Sequence, residues 1–305
     1  MLMSRDARAA ARAEWLEARR QGIGSSDAPV ILGLTTWKSP LALYAEKAGL
    51  VPLPEDDTDR LRWGHRLEPA ITQAYEEDTG RRTYDPGDFT LERHGSAPWM
   101  IATLDRLVVE WTDAPHPPPL EQIGVLELKT ADAFKREVWR EEPPLAYQVQ
   151  LQHQLAVSGH QWGSIACLIG GHTFVWQDVA RNDAFIAELM LAEERFWQRV
   201  QQRDPPPPDA SKASSDILQQ LYPQETEETI ALPVDAVEWD RERRLSMEII
   251  ATHEDIKHEC ENRLRAALGT AAVGVLPTGV RYTWKTRKAY TANVGATRIL
   301  RRIDR

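Results

Sequence analysis

The residues most capable of chemistry lie in Gly124-Val125-Leu126-Glu127-Leu128-Lys129-Thr130. The stretch reads as a short strand. Side chains alternate along a strand, so Val125, Glu127 and Lys129 point to one face and Leu126 and Leu128 to the other. A carboxylate and an ammonium then lie side by side, about 6–7 Å apart along the chain. The carboxylate can hold a hard divalent cation. The ammonium can orient or help deprotonate a water, or stabilise developing negative charge. Glu-x-Lys alone is a common pattern on solvated strands, so its neighbours decide its meaning.

Two further carboxylates fall in order before it. Glu68 lies in Trp63-Gly64-His65-Arg66-Leu67-Glu68, on a helix expected over 59–79, and Asp105 ends the strand-like Ile101-Ala102-Thr103-Leu104-Asp105. If the helix packs beside two paired strands, three carboxylates and one ammonium converge. Clustered carboxylates repel one another unless a cation neutralises them. Two Mg²⁺ ions about 3.5–4 Å apart would do so, and would serve phosphodiester hydrolysis. The eight histidines show no ligand spacing, and Gly22-x-Gly24 is too short for a dinucleotide loop.

The elements that must position these groups are legible in outline. Residues 5–20 read as a helix, ended by Gly22-Ile23-Gly24. Ser25, Ser26 or Asp27 can cap a helix running to Leu32. Ser39-Pro40 opens a helix to Lys47. Strand-like pieces follow at 82–84, 89–93, 100–111 and 123–130. Pro115, Pro117, Pro118 and Pro119 mark a loop between the last two. A helix is expected over 144–158, a Gly170-Gly171 hairpin joins strands 162–169 and 173–178, and a helix over 183–203 ends at Pro205–Pro208. That proline run suggests domains of 1–204 and 214–305, joined by a 205–213 linker. The second part holds a short helix at 214–222, a charged helix at 235–268 and a basic strand-like end.

The length of 305 residues and 42% hydrophobic content allow one large domain with an accessory piece. Only two cysteines, Cys167 and Cys260, are present and far apart, against a zinc ribbon or iron–sulfur cluster. Free thiols in a reducing cytosol are expected. The arginine-rich start has no apolar core of a secretory signal, and no apolar run is long enough for a membrane span. The net charge of −9 argues against a general nucleic-acid binder, but its location matters more. Residues 281–305 carry eight basic residues against a single acidic one, making Lys285, Arg287 and Lys288 candidate DNA contacts.

Five motifs in order carry a family resemblance. They are Trp15…Arg19…Gly24-Ser25-Ser26-Asp27…Trp37-Lys38-Ser39-Pro40; Trp63-Gly64…Leu67-Glu68 with Tyr75-Glu76; Thr103-Leu104-Asp105; Leu126-Glu127-Leu128-Lys129-Thr130; and Tyr147-Gln148-Val149-Gln150-Leu151-Gln152. Over about residues 15–200 the chain resembles YqaJ-type viral recombinase nucleases, similar to the phage lambda exonuclease group of the PD-(D/E)xK superfamily. The resemblance implies an α/β fold: a restriction-endonuclease-like core with a mixed central sheet flanked by helices. It implies that Asp105, Glu127, the Leu128 carbonyl and Glu68 hold metal, that Lys129 positions the attacking water, and that Gln150 orients Lys129 or the scissile phosphate. Arg19 and Ser26 match the family's pocket for a DNA 5′-phosphate. An arginine fork and a helix N-terminus at Ser26 would suit that anion, while Asp27 could simply cap the helix. Leu104 and Arg106 depart from the family's Pro and Gly. Leu104 should pack harmlessly, whereas Arg106 could touch DNA.

The expected activity is therefore Mg²⁺-dependent DNA hydrolysis, with Mn²⁺ as a substitute. The resemblance adds a 5′-to-3′ exonuclease of phage or prophage recombination, acting on duplex ends in the bacterial cytoplasm and leaving 5′-phosphate products. Candidate partners are DNA, a single-strand annealing protein and further copies of the chain. The alternatives are a structure-selective endonuclease on the same core and a non-catalytic DNA-end-binding protein.

Overall fold

The computed structural model describes residues 5–52, 59–87, 89–109 and 120–286. The chain divides into two compact units, Met1–Pro223 and Gln224–Arg305. In the first, a five-stranded mixed sheet holds the centre. Its strands are β2 (Arg82–Tyr84), β5 (Arg106–Val109), β6 (Ile123–Ala131), β7 (Trp162–Ile169) and β8 (Thr173–Ala180), in the order β2-β5-β6-β7-β8. β6 and β7 run parallel and the other neighbours antiparallel. Helix α5 (Leu145–Ser158) makes the crossover between the parallel pair, as such a connection requires. A smaller sheet pairs β1 (Ile23–Gly24) and β3 (Glu92–Arg93) on either side of β4 (Met100–Ala102).

Both faces of β6 are covered. Leu126 and Leu128 pack with Ile71 and Tyr75 of α4 (Asp59–Thr79). Val125 packs on the other side with Leu151 and Leu155 of α5. Each such fully buried aliphatic side chain contributes about 1.5–3 kcal/mol. Gly163 lets α5 approach the sheet: a Cβ there would lie 2.6 Å from the Val125 carbonyl oxygen and 2.8 Å from Leu151 Cδ1. At the far end of α4, Arg81 donates to both carboxylate oxygens of Asp178 on β8 (2.8 and 2.7 Å) and to the Tyr75 hydroxyl (2.7 Å). That fork pins the α4 end to the sheet edge.

Helices α1 (Arg5–Arg20), α2 (Ala28–Ile31), α3 (Pro40–Lys47) and α6 (Asp183–Gln202) complete this unit with α7 (Lys212–Leu221). A boundary at Pro205–Pro208 is corrected here. Ile217 of α7 is buried in one cluster with Leu41, Phe196 and Val200, so the prolines turn the chain within the unit, which runs on to Pro223. The second unit holds α8 (Ala236–Leu268) and the hairpin β9 (Val273–Val275) with β10 (Arg281–Thr283). The expected strand over 100–111 is also corrected. It breaks at Thr103–Asp105, and its halves join different sheets. The expected proline loop of 115–119 and most of the basic end, including Arg287 and Lys288, lie outside the described residues. No helix among the described residues is long and apolar enough to cross a membrane.

Candidate active site

Strand alternation puts Glu127 and Lys129 beneath α5, where they form an ion pair. Glu127 is only 1% exposed. Its Oε1 accepts from Gln150 Nε2 and its Oε2 from Gln154 Nε2, both at 2.6 Å. The two glutamines are one helical turn apart, so α5 presents both amides to one carboxylate. Gln150 was expected to orient Lys129 or the phosphate. In the structure it grips Glu127 instead. Gln154 escaped the sequence reading, although its four-residue spacing from Gln150 was a usable signal. Gln152 faces away and bonds the Ala180 carbonyl and the Asn182 N–H.

Asp105 lies in the bend between β4 and β5, not on a strand. Its Oδ2 accepts from the Leu128 N–H at 2.9 Å. N–H and C=O of one strand residue point to the same side, so the Leu128 carbonyl faces this side too, past the end of β5, whose pairing stops at Leu126. Leu104 is buried in the core beside it, as expected. Burial, then the charge of Glu127 and, more weakly, that of Glu68, push the Asp105 carboxyl up to about 8, against the pull of Lys129 and the Leu128 N–H. Burial works against the Lys129 charge as well, but Glu127 and Asp105 outweigh it and hold the ammonium above its ordinary value. Lys129 is therefore a cation at neutral pH, suited to orienting a nucleophile or stabilising negative charge and not to accepting a proton. Its Nζ also lies 5.0 Å from the Tyr147 ring centre.

Glu68 approaches from α4, with its Oε1 2.8 Å from His65 Nδ1. Pro69 follows it inside the helix and cannot donate to the His65 carbonyl one turn back, so the backbone ladder is interrupted beside Glu68. A cavity of about 300 Å³ brings together Glu68, Asp105, Glu127, Leu128, Lys129 and Gln150. His65 shares this cavity and two neighbouring ones, a position its sequence context did not mark.

The donor set suits a hard cation: carboxylate and carbonyl oxygens around a buried acid whose ionisation is opposed by its neighbours. Among the described residues, no three His, Cys, Asp or Glu side chains form a ready-made metal cage. Lys129 and two glutamines hold Glu127, and His65 holds Glu68. A cation would have to compete for these oxygens.

The expected phosphate pocket is next door. Arg19 Nη2 donates to Ser26 Oγ at 3.0 Å, and its guanidinium lies 4.6 Å from the centre of the Trp15 ring. A cavity of about 180 Å³ joins Arg19, Ser26, Trp15 and Gln150 to Asp105. The helix-terminus argument is corrected: α2 has four residues, too short for a useful dipole, so the guanidinium carries the anion affinity. Asp27 makes no side-chain cap. It accepts from the Gly24 N–H (2.9 Å) and pairs with buried Lys47 (2.6 Å). Arg106 lines the cleft outside Asp105, whereas Lys285 lies in the second unit.

A model of the YqaJ-like viral recombinase domain matches residues 14–161. Over 271 residues the chain is 33% identical to the uncharacterized protein YqaJ of Bacillus subtilis (strain 168), covering 87% of this chain and 81% of that protein. The chain belongs to the YqaJ family of viral recombinases. The YqaJ match is too long to end at Pro208, so the likeness reaches into the second unit, beyond the limit expected from the motifs. The YqaJ-like fold also resembles the crystal structure of an alkaline exonuclease, LHK-Exo, from Laribacter hongkongensis, at 22% identity and a TM-score of 0.51, covering 63% of this chain and 94% of that one. LHK-Exo in complex with dAMP gives the same TM-score and identity over 68% of this chain. The fold is that of the PD-(D/E)xK exonucleases.

Proposed function

We propose that this chain is a divalent-metal-dependent deoxyribonuclease that removes nucleotides from the 5′ ends of duplex DNA. The observation that carries this reading is the meeting of Asp105, Glu127 and Lys129 with the Arg19–Ser26 pocket around one carboxylate. Asp105, Glu127, Glu68 and the Leu128 carbonyl would hold Mg²⁺, with Mn²⁺ as a substitute. The ion, when bound, supplies Lewis-acid stabilisation of charge on the phosphate and eases ionisation of water.

The protein's own groups do the positioning. Gln150 and Gln154 fix the Glu127 carboxylate. The Lys129 ammonium orients the attacking water and offsets charge growing on the non-bridging oxygens. Oxygen from water joins phosphorus, the bond from phosphorus to the 3′ oxygen breaks, and that oxygen leaves as a hydroxyl after taking a proton. The product keeps a 5′-phosphate. Arg19 and Ser26 receive the phosphate already present on the 5′ end, which places the next phosphodiester near Asp105. This neighbourhood favours an exonuclease over an endonuclease and sets the direction. Phage or prophage recombination, with an annealing protein as partner, is the setting that suits such an enzyme, and oligomers of the chain would suit processive action.

The test is digestion of linear duplex DNA labelled at either end, with Mg²⁺ or EDTA, beside Asp105→Ala. Mg²⁺-dependent release of the 5′ label as mononucleotide, absent in the variant, is the expected result. Cutting of covalently closed plasmid would identify an endonuclease instead, and binding of ends without cleavage would leave a non-catalytic end-binding protein. Arg19→Ala should abolish the preference for 5′-phosphorylated over unphosphorylated ends. Equal losses on both would remove the pocket from the mechanism.

A further inference from the structure

A third cavity, of about 490 Å³, opens outward from Asp105 and is bounded by groups that the hydrolytic reading leaves unused. One wall is α1. Its Arg8, Arg12, Trp15 and Arg19 recur at spacings of four, three and four, and so share one helical face. Arg8, Arg12 and Trp15 line this cavity, while Trp15 and Arg19 line the smaller pocket beside it. The arginine face of α1 therefore runs along both.

The opposite wall carries Phe89. Its ring centre is 5.7 Å from that of Trp15, at 57° between planes. The Arg8 guanidinium lies 5.7 Å from the Phe89 ring centre. Trp15 is aimed by its indole N–H, which donates to Thr103 Oγ1 at 2.9 Å, two residues before Asp105. Phe89 has φ 63°, in the left-handed region that bulky side chains avoid. A strained backbone that holds an aromatic ring against the mouth of a cleft is the kind of feature that function retains. The cleft is thus basic and aromatic on its outer side and acidic at Asp105 and Glu68.

We propose that this cleft holds an unpaired stretch of the DNA strand that enters the site, with a base stacked on the Trp15–Phe89 wall and its phosphates on Arg8 and Arg12. Arginines beside aromatic faces are the means by which single strands are held without sequence preference. Carboxylates alone would repel the backbone, so the α1 arginines are what draw a strand towards them. The proposal rests on the nuclease reading and adds to it: the duplex end must fray before cleavage, and this surface stabilises the frayed strand.

The test measures binding of a 5′-phosphorylated single-stranded oligonucleotide of about a dozen nucleotides to the full chain in EDTA, across a salt series. For Arg8→Ala/Arg12→Ala, affinity should fall and the slope of log K against log salt should become shallower by about 1.4, at roughly 0.7 per phosphate contact. For Phe89→Asn, affinity should fall roughly fivefold or more with the salt slope unchanged. Asparagine tolerates the left-handed backbone, so its melting temperature should not drop. Wild-type affinity and slope in both variants, or no binding by the wild type, would overturn the cleft. Digestion of the same strand in a duplex by the wild type with Mg²⁺ is read separately. Failure there would overturn the nuclease reading and leave the binding result intact.

Discussion

Glu127 has three partners of its own: Lys129, Gln150 and Gln154. A buried carboxylate this well satisfied is fixed in place, and geometry of that kind is where catalytic rate is lost when a partner goes. Gln154→Leu should cost about 1.5–3 kcal/mol of stability, the value of a hydrogen bond to a charged group, and lower DNA cleavage by up to about 10²-fold. A thermal melt beside a cleavage assay checks both. Unchanged turnover would show that Gln150 alone suffices. Lys129→Ala has a different expected signature. Cleavage should fall by about 10²–10³-fold, as when one electrostatic stabiliser is removed, while the circular dichroism spectrum persists. Near-normal turnover would remove Lys129 from the chemistry.

At the scale of elements, α5 is the organising piece. One face grips Glu127, another packs on Val125 and Ile165, and a third carries His153. His153 is fully buried, with Nδ1 2.8 Å from Glu193 Oε1 on α6 and Nε2 3.0 Å from the Ile101 carbonyl on β4. Two acceptors around one ring call for two protons, so the imidazolium ties three elements together. Burial works against that charge, but Glu193 and the Ile101 carbonyl outweigh it and raise the His153 value above the ordinary 6.5. A raised folded value contributes stability that is fully present below the unfolded value near 6.5 and lost as pH rises through the folded one. The melting temperature should therefore decline on the alkaline side. His153→Ala should remove that decline and cost about 3–5 kcal/mol by stranding Glu193. A pH series of melts on both proteins checks this, and parallel profiles would refute it.

At the scale of the whole molecule, Met1–Pro223 contains both covers of the sheet, the carboxylate site and the α7 contact. A chain ending at Pro223 should fold cooperatively and keep divalent-dependent cleavage of short duplexes. It should also lose part of its salt dependence if Lys285 and the basic end contact phosphates. Calorimetry and a salt series on the shortened chain measure both. Loss of folding would mean that the second unit is structurally required.

The sequence determined the kinds of groups and most of the elements that carry them. Glu127 and Lys129 share a face because strands alternate, and α4 and α5 are bounded by residue types that start and stop helices. Five motifs in order were enough to reach the family. What it could not determine is which elements meet. Asp105 reads as a strand residue because its neighbours are apolar, yet β4 and β5 belong to different sheets and the chain bends at Asp105. Gln150 and Gln154 look alike as helix glutamines until α5 lies over β6, and Asp27 looks like a cap until Lys47 arrives from α3. Local spacing is set by covalent geometry and is legible in one dimension. A carboxylate's ionisation and its partners depend on burial and on charges distant in sequence, and only the packed tertiary structure supplies those.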